Sequence, residues 1–311
     1  MTLRRLLAAC LALMAIAVAA GCGGDDGESG GGGTISADGS STVGPYVTSA
    51  AERFRDESGT DVTVGISGTG GGFERFCRDE TDLSNASRPI KDEESAICEE
   101  NGVEYVELQV ANDALTVVVN PENDWATCLT VEELNAMWKP GSTVENWNQV
   151  RDDFPDEPLK LFGAGTDSGT FDYFTDVING EEGASRTDYS PSEDDNVTVQ
   201  GVSGTRGALG YFGFSYFEEN QETLKAVEID GGDGCVAPSV ESAQAGDYAP
   251  LARPLFVYAK SSALERAEVE DFMRFMLENE TSIAEAAQFV PLNETQVEDN
   301  LAKLDAATGG S

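Results

Sequence analysis

Three short segments built almost wholly of glycine, serine and threonine interrupt this chain. They are Gly39-Ser40-Ser41-Thr42, Ser67-Gly68-Thr69-Gly70-Gly71-Gly72 and Gly165-Thr166-Asp167-Ser168-Gly169-Thr170. Each follows a strand-like run and precedes a helix-like one. A corner of that kind leaves backbone N–H groups free at the positive end of a helix dipole, where an oxyanion can sit. Taken singly, such a loop is ordinary turn chemistry. Three at equivalent corners point to neutral donors that converge on one small anion. None fits a nucleotide motif: Gly-x-x-x-x-Gly-Lys-Ser/Thr is absent, and Phe73 stands where a dinucleotide fingerprint after Gly68-x-Gly70 requires Gly or Ala.

The runs between the corners alternate between the two periodicities. A strand is expected at 34–37, then a helix opened by Pro45, with Val47, Ala50, Ala51 and Phe54 on one face and Gly59 as its stop. Val62, Val64 and Ile66 alternate in a strand at 61–66, and a helix is expected at 73–79. A strand at 82–86, a helix at 91–100 and two separate strands at 105–110 and 114–120 follow. Thr130 and Glu133 form a capping box for a helix at 130–138. A strand at 159–162 meets the third corner, with a helix at 170–178 after it. Residues 180–195 are polar and acidic and read as an exposed excursion. Strands at 207–214, 224–229 and 253–259 and an amphipathic helix at 263–278 complete the pattern. Such alternation implies an α/β architecture with ligands beyond the carboxyl ends of the strands. A length of 311 residues holds one large or two medium domains.

Charge narrows the partners. The chain has 57 acidic and 19 basic side chains, a formal net charge of −38. Such a surface repels nucleic acid and anionic headgroups, so no nucleic-acid partner is expected. It also repels a small anion at long range, so an anion site must win through short, dry hydrogen bonds. Solubility or a salty habitat accounts for the excess. Histidine is absent, which removes every Ser-His-Asp, Cys-His and His-metal arrangement. A phosphohydrolase using Ser168 or Asp167 as nucleophile would lack a base. The chain is therefore read as a binding protein, not an enzyme, with no cofactor and no metal.

The N-terminus reads as an address. Arg4 and Arg5 precede an apolar run at 6–20, the length of a signal-peptide core and short of a spanning helix. The end of that run, Ala19-Ala20-Gly21-Cys22, resembles a bacterial lipobox, which implies cleavage before Cys22 and a lipid on its sulfur. The alternative is a plain secretory signal with a chance cysteine. Residues 23–33 contain only Gly, Asp, Glu and Ser, so residues 22–33 read as a flexible tether. Eleven such residues span roughly 18 Å root-mean-square. Cys77, Cys98, Cys128 and Cys235 remain, an even number that suggests two disulfides in an exported protein. Of three pairings, Cys77–Cys98 with Cys128–Cys235 is preferred: the first pair is close in sequence and the second falls within one half of the division given below. A zinc site is the alternative, without Cys-x-x-Cys spacing to support it.

A fourth segment is Asn85-Ala86-Ser87-Arg88-Pro89-Ile90. An arginine at a strand end can present its planar fork to an oxyanion, or pair with one of many carboxylates; both readings stay open. Together GSSTVGP (39–45), GISGTGGGFERFC (65–77), TDLSNASRPI (81–90), GTDSGTFDYF (165–174) and GALGYFGFSYF (207–217) resemble, in order and spacing, the periplasmic phosphate-binding protein of bacterial phosphate ABC transporters. The resemblance runs from about residue 34 to 301. It implies a class II periplasmic-binding-protein fold: two α/β lobes, 34–111 plus 254–311 and 112–253, joined by crossings near 110–113 and 251–254. It implies donors at Ser41, Thr42, Gly68, Thr69, Ser168, Gly169 and Thr170. The implied partners are phosphate and the permease of an ABC transporter, with membrane attachment through the N-terminal lipid; a monomer is expected. The chain departs from the family twice. Ser87 stands where many members have an Asp that accepts the phosphate proton, and Ala164 where many have an arginine ahead of the third loop. Arg88 is the candidate for the missing cation and Asp167 for the missing acceptor. Sulfate and molybdate are the rival ligands.

Overall fold

The computed structural model describes residues 33–309. The expected leader, the lipid-bearing Cys22 and the tether short of Gly33 lie outside them. Among the described residues no helix is long and apolar enough to cross a membrane.

The element that organises the sheet is longer than its sequence suggested. The two strands expected at 105–110 and 114–120 are one strand, Tyr105–Val119. Ala111, Asn112 and Asp113 contain no glycine or proline to turn the chain, and the Asn112 backbone and the Asp113 carboxylate find partners without a loop. The Asn112 backbone exchanges both hydrogen bonds with Val290, at 2.9 Å each. The Asp113 carboxylate accepts from Arg253. Ala252–Lys260 returns antiparallel alongside, pairing Ala252 with Ala114, Arg253 with Asp113 and Pro254 with Asn112.

Parallel strands flank this antiparallel pair on both sides. In spatial order the main sheet runs Val62–Val64, Ile35–Gly39, Leu83–Ala86, Ala252–Lys260, Tyr105–Val119, Ala208–Gly213, Lys160–Ala164 and Ser190–Ser192. Lys225–Ala226 also pairs with the long strand. The stretch at 180–195 is largely exposed, as expected, but within it Ser190–Ser192 adds a parallel edge strand to Lys160–Ala164. The chain reaches that edge because Arg186 is buried, with its fork on Asp188 and one terminal nitrogen on the carbonyls of Met137 and Val144.

Two large apolar cores form. One combines Ile35, Val47, Phe54, Leu108, Val257, Phe272 and Ile283, drawn from both ends of the folded chain. The other combines Leu115, Trp138, Trp147, Phe174, Tyr211 and Leu251, all from its middle. The long strand feeds both: Leu108, Val110 and Ala111 enter the first, Leu115, Val117 and Val119 the second. This is the mixed α/β fold of a periplasmic binding protein. The cysteines pair as Cys77–Cys98 and Cys128–Cys235. The second disulfide ties Cys128–Thr130 to Cys235–Val236 in a small separate sheet.

Helix boundaries shift in two informative places. The helix expected at 73–79 starts five residues earlier, as Gly68–Cys77, so the glycine run is its first turn. Gly72 packs that turn onto the first corner: a Cβ there would lie 2.5 Å from Gly39 Cα. Gly39 itself has φ +141°, and a Cβ on it would sit 2.1 Å from the Asn85 carbonyl oxygen. The helix expected at 170–178 is Gly169–Phe174 followed by a wider π turn, Thr175–Asn179. There the Thr175 hydroxyl donates back to the Phe171 carbonyl at 2.8 Å, a local competitor with the helical ladder.

Candidate functional site

Three strands, each parallel to a neighbour but the third opposite in sense to the first two, end at the three glycine, serine and threonine corners, and the corners face one cleft of about 790 Å³. Ile35–Gly39 leads into Ser40–Thr42, then into helix Gly44–Ser58. Val62–Val64 leads through Ser67 into Gly68–Cys77. Lys160–Ala164 leads through the third corner into Gly169–Phe174. The first two of these helices have no side chain capping the N-terminus. Elsewhere Thr130, Asp194, Ser239 and Asn293 cap their helices with side-chain oxygens. Uncapped starts leave first-turn N–H groups to satisfy something else.

Ser41, Thr42, Gly68, Thr69, Ser87, Arg88 and Gly169 all line the cleft. Two apolar cores separated in sequence thus supply one site. The gap between their corners is narrow: a Cβ on Gly169 would lie 3.6 Å from Thr42 Oγ1. Ser87 N donates to Thr69 Oγ1 at 3.3 Å, and the two hydroxyls stand 3.1 Å apart. Since that pair shares one hydrogen bond, one O–H is left for the cleft. Ser168 and Thr170 flank Gly169 but are not on the cleft wall. Ser168 Oγ instead accepts from Thr170 N at 3.2 Å and caps the short helix. Asp167 is exposed at the outer tip of the corner, away from the cleft, with its N–H directed to Glu193 at 3.3 Å. Its carboxylate is not on the wall that an anion would touch.

Arg88 is at the cleft with its fork already committed. Two nitrogens reach the two Glu94 oxygens at 2.8 Å each, and one also reaches the Pro89 carbonyl. Burial pushes the Glu94 carboxyl up, but the Arg88 fork and the Lys91 N–H outweigh it and hold the group below its ordinary range. Lys91 lines the cleft and is exposed.

Sequence reasoning missed Arg253, Asp172 and Tyr173. Arg253 opens the return strand; its Nε and Nη2 donate to one Asp113 oxygen at 3.2 and 3.1 Å, and Nη2 also reaches Thr42 Oγ1 at 3.2 Å. Its guanidinium lies 3.6 Å from the Tyr173 ring centroid. Tyr173 in turn donates to the Pro250 carbonyl at 2.7 Å. Gly169, Asp172, Tyr173 and Asp176 follow a helical i, i+3, i+4, i+7 pattern on the cleft wall. The signal for Asp172 was that spacing in GTDSGTFDYF. Burial raises the Asp172 carboxyl, with Arg253 opposing the shift. The side chains on the wall balance: Arg88, Lys91 and Arg253 against Asp172, Asp176 and Glu182. The wall therefore presents no net positive field, and what it offers is directed donors.

A second cavity of about 360 Å³ lies behind the third corner, against Arg186 and Tyr189. Arg186 is bonded there to Asp188 and to backbone carbonyls, so it offers this cavity little. The grouping of Cys128, Glu228 and Cys235 has metal-ligand proximity, but its two sulfurs are bonded to each other.

Comparison with known proteins gives the family. The model of the PBP superfamily domain matches residues 24–280. Protein SphX of Synechocystis is 46% identical over 280 residues, 89% of this chain and 83% of SphX. The phosphate-binding protein PstS of Staphylococcus saprophyticus is 37% identical over 291 residues, 92% of this chain and 89% of its own. The crystal structure of a possible phosphate binding protein from Planctomyces limnophilus superposes with a TM-score of 0.85 at 48% identity, covering 88% of this chain and 98% of that one. The chain belongs to the PBP superfamily, in the family that contains the PstS phosphate-binding proteins.

Proposed function

We propose that this protein binds inorganic phosphate outside the cytoplasmic membrane and delivers it to the permease of an ABC transporter. The observation that carries the reading is the convergence of uncapped helix starts and hydroxyl-bearing corners, from two cores, on one cleft. Ser41, Thr42, Gly68, Thr69, Ser87 and Gly169 would donate from its walls, with Ser168 and Thr170 beside them. Lobes at 34–111 plus 254–311 and 112–253 would close by flexing the strand pair at 110–113 and 251–254. A lipid on Cys22 would hold the monomer near its permease. Transport-type binding, not turnover, fits a chain without histidine.

Hydrogen phosphate keeps a proton at neutral pH and sulfate does not. A carboxylate on the wall favours the first and repels the second. That Asp172 lines the cleft while Asp167 does not supports Asp172 as that carboxylate. Helical side chains lean toward the N-terminus of their helix, which directs Asp172 back toward Gly169. Micromolar binding needs about −8 kcal/mol. Several charge-assisted bonds of about 1.5–3 kcal/mol each supply that after ordering costs.

Titration calorimetry with phosphate, sulfate and molybdate tests the reading. One phosphate per chain, bound more tightly than either rival, is the expected result. Equal affinity for sulfate would remove the acceptor role, and no phosphate binding would end the proposal. Turnover of added phosphate esters would favour an enzyme instead.

A further inference from the structure

The cleft wall holds three cations, and only one is available to a guest. Arg88 has both arms on Glu94. Lys91 is exposed, so water screens its charge. Arg253 differs from both. Its side chain is 18% exposed, and it touches four structural units at once: its own return strand, Asp113 on the long strand, Thr42 of the first corner and the Tyr173 ring behind the third. Nε and Nη2 crowd onto a single Asp113 oxygen, and among the described residues Nη1 makes no hydrogen bond. A planar fork with an uncommitted arm, held flat by an aromatic face, suits a tetrahedral oxyanion.

We propose that Arg253, held between Asp113, Thr42 and Tyr173 where the two strands pair, is the cationic ligand of the bound anion. This rests on the phosphate reading above. The charge comes from the crossing strand and not from the residues ahead of the third corner, where Ala164 stands. Thr42 Oγ1 accepts from Arg253, which leaves its own O–H free to donate elsewhere. A bound anion then takes donors from Arg253 and Thr42 together. A structural ion pair that merely ties two strands is the simpler account, and it makes a different demand. It requires Asp113 as much as Arg253, whereas an anion ligand requires only the cation.

Phosphate titration of the wild type and of Arg253→Gln, Arg253→Lys, Arg88→Gln and Asp113→Asn decides between them. Arg253→Gln is expected to weaken binding about 100-fold and Arg253→Lys about 10-fold, because lysine keeps the charge without the fork. Arg88→Gln is expected to stay within about threefold, and Asp113→Asn, which keeps a carbonyl oxygen to accept from Arg253 and leaves the cation in place, is expected to lose clearly less than Arg253→Gln. Should Arg253→Gln fail to fold, the lysine variant carries the decision. Unchanged binding in the Arg253 variants that fold overturns the proposal, as does a loss in Asp113→Asn matching that in Arg253→Gln. A wild type that binds no phosphate overturns the functional reading first and this inference with it.

Discussion

Asp113 and Asn112 are neighbours on one strand, and their surroundings differ in kind. Side chains alternate across a strand, so the two turn to opposite faces. Asp113 holds Arg253 at the cleft, among hydroxyls and helix starts that have donors to spare. Asn112 joins a web of uncharged amides on the other face. Gln109 Nε2 donates to Asn112 Oδ1 at 2.7 Å, Asn300 takes both backbone groups of Gln109, and Gln244 Nε2 reaches the Pro291 carbonyl at 2.8 Å. Val290 completes the web by bridging to Asn112 and entering an apolar cluster with Phe214 and Ala243. One face offers hydroxyl and helix-start donors to the cleft, and the other ties most of its amide groups to one another, with Asn112 Nδ2 buried and without a partner among the described residues. The contrast separates recognition from cohesion within a single pair of strands.

Variants on each face test the separation. The largest effect is expected from Gly72→Val, which forces a side chain against the Gly39 backbone beneath the first two corners. Loss of more than about 3 kcal/mol of stability and of phosphate binding should follow, read by chemical denaturation and calorimetry. Next comes Asp172→Asn. It leaves the helix intact but removes the acceptor, so the preference for phosphate over sulfate should fall about 10- to 100-fold in competition calorimetry. Unchanged preference would place the discrimination elsewhere.

Behind the cleft the expected effects are on stability alone. Glu280 is 1% exposed and accepts from Leu292 N at 2.8 Å, beside the segment that carries Val290. Burial raises its carboxyl from 4.5 to about 7, with the Leu292 N–H opposing the shift. The folded state therefore binds a proton that the unfolded chain releases near its ordinary value. That contribution is full below about 4.5 and is lost as pH rises through about 7. Roughly 3 kcal/mol of stability should disappear over that window, and Glu280→Gln should flatten the profile measured by urea unfolding. The smallest change is expected from Asn300→Ala: about 1–2 kcal/mol of stability, with phosphate affinity within about twofold. A large affinity loss there would break the division between the faces.

The corners, the strand-to-helix alternation and the Thr130 capping box were legible because each is local chemistry. Turn residues, periodicity and caps act within a few positions. Arg253 was hidden because its meaning depends on facing Asp113, 140 positions away in sequence, across a register that no local pattern encodes. The run at 105–119 was divided for the opposite reason. Asn112 and Asp113 look like loop residues until Val290 and Arg253 supply partners. Ser190–Ser192 was missed because an acidic, glycine-bearing stretch reads as loop, and its pairing to Lys160–Ala164 as an exposed edge strand follows a buried Arg186 whose carbonyl partners lie elsewhere in the chain. Asp167 was chosen for its place in the motif, and the corner turns it outward while one helical turn later Asp172 turns inward.

The most direct measurement is a crystal structure of the protein grown with phosphate. The account expects one tetrahedral anion in the cleft, within hydrogen-bond distance of Thr42, Thr69 or Ser87 on one side and of Gly169 on the other. Phosphate bound only outside that cleft, or touching the corners of one core alone, would contradict it.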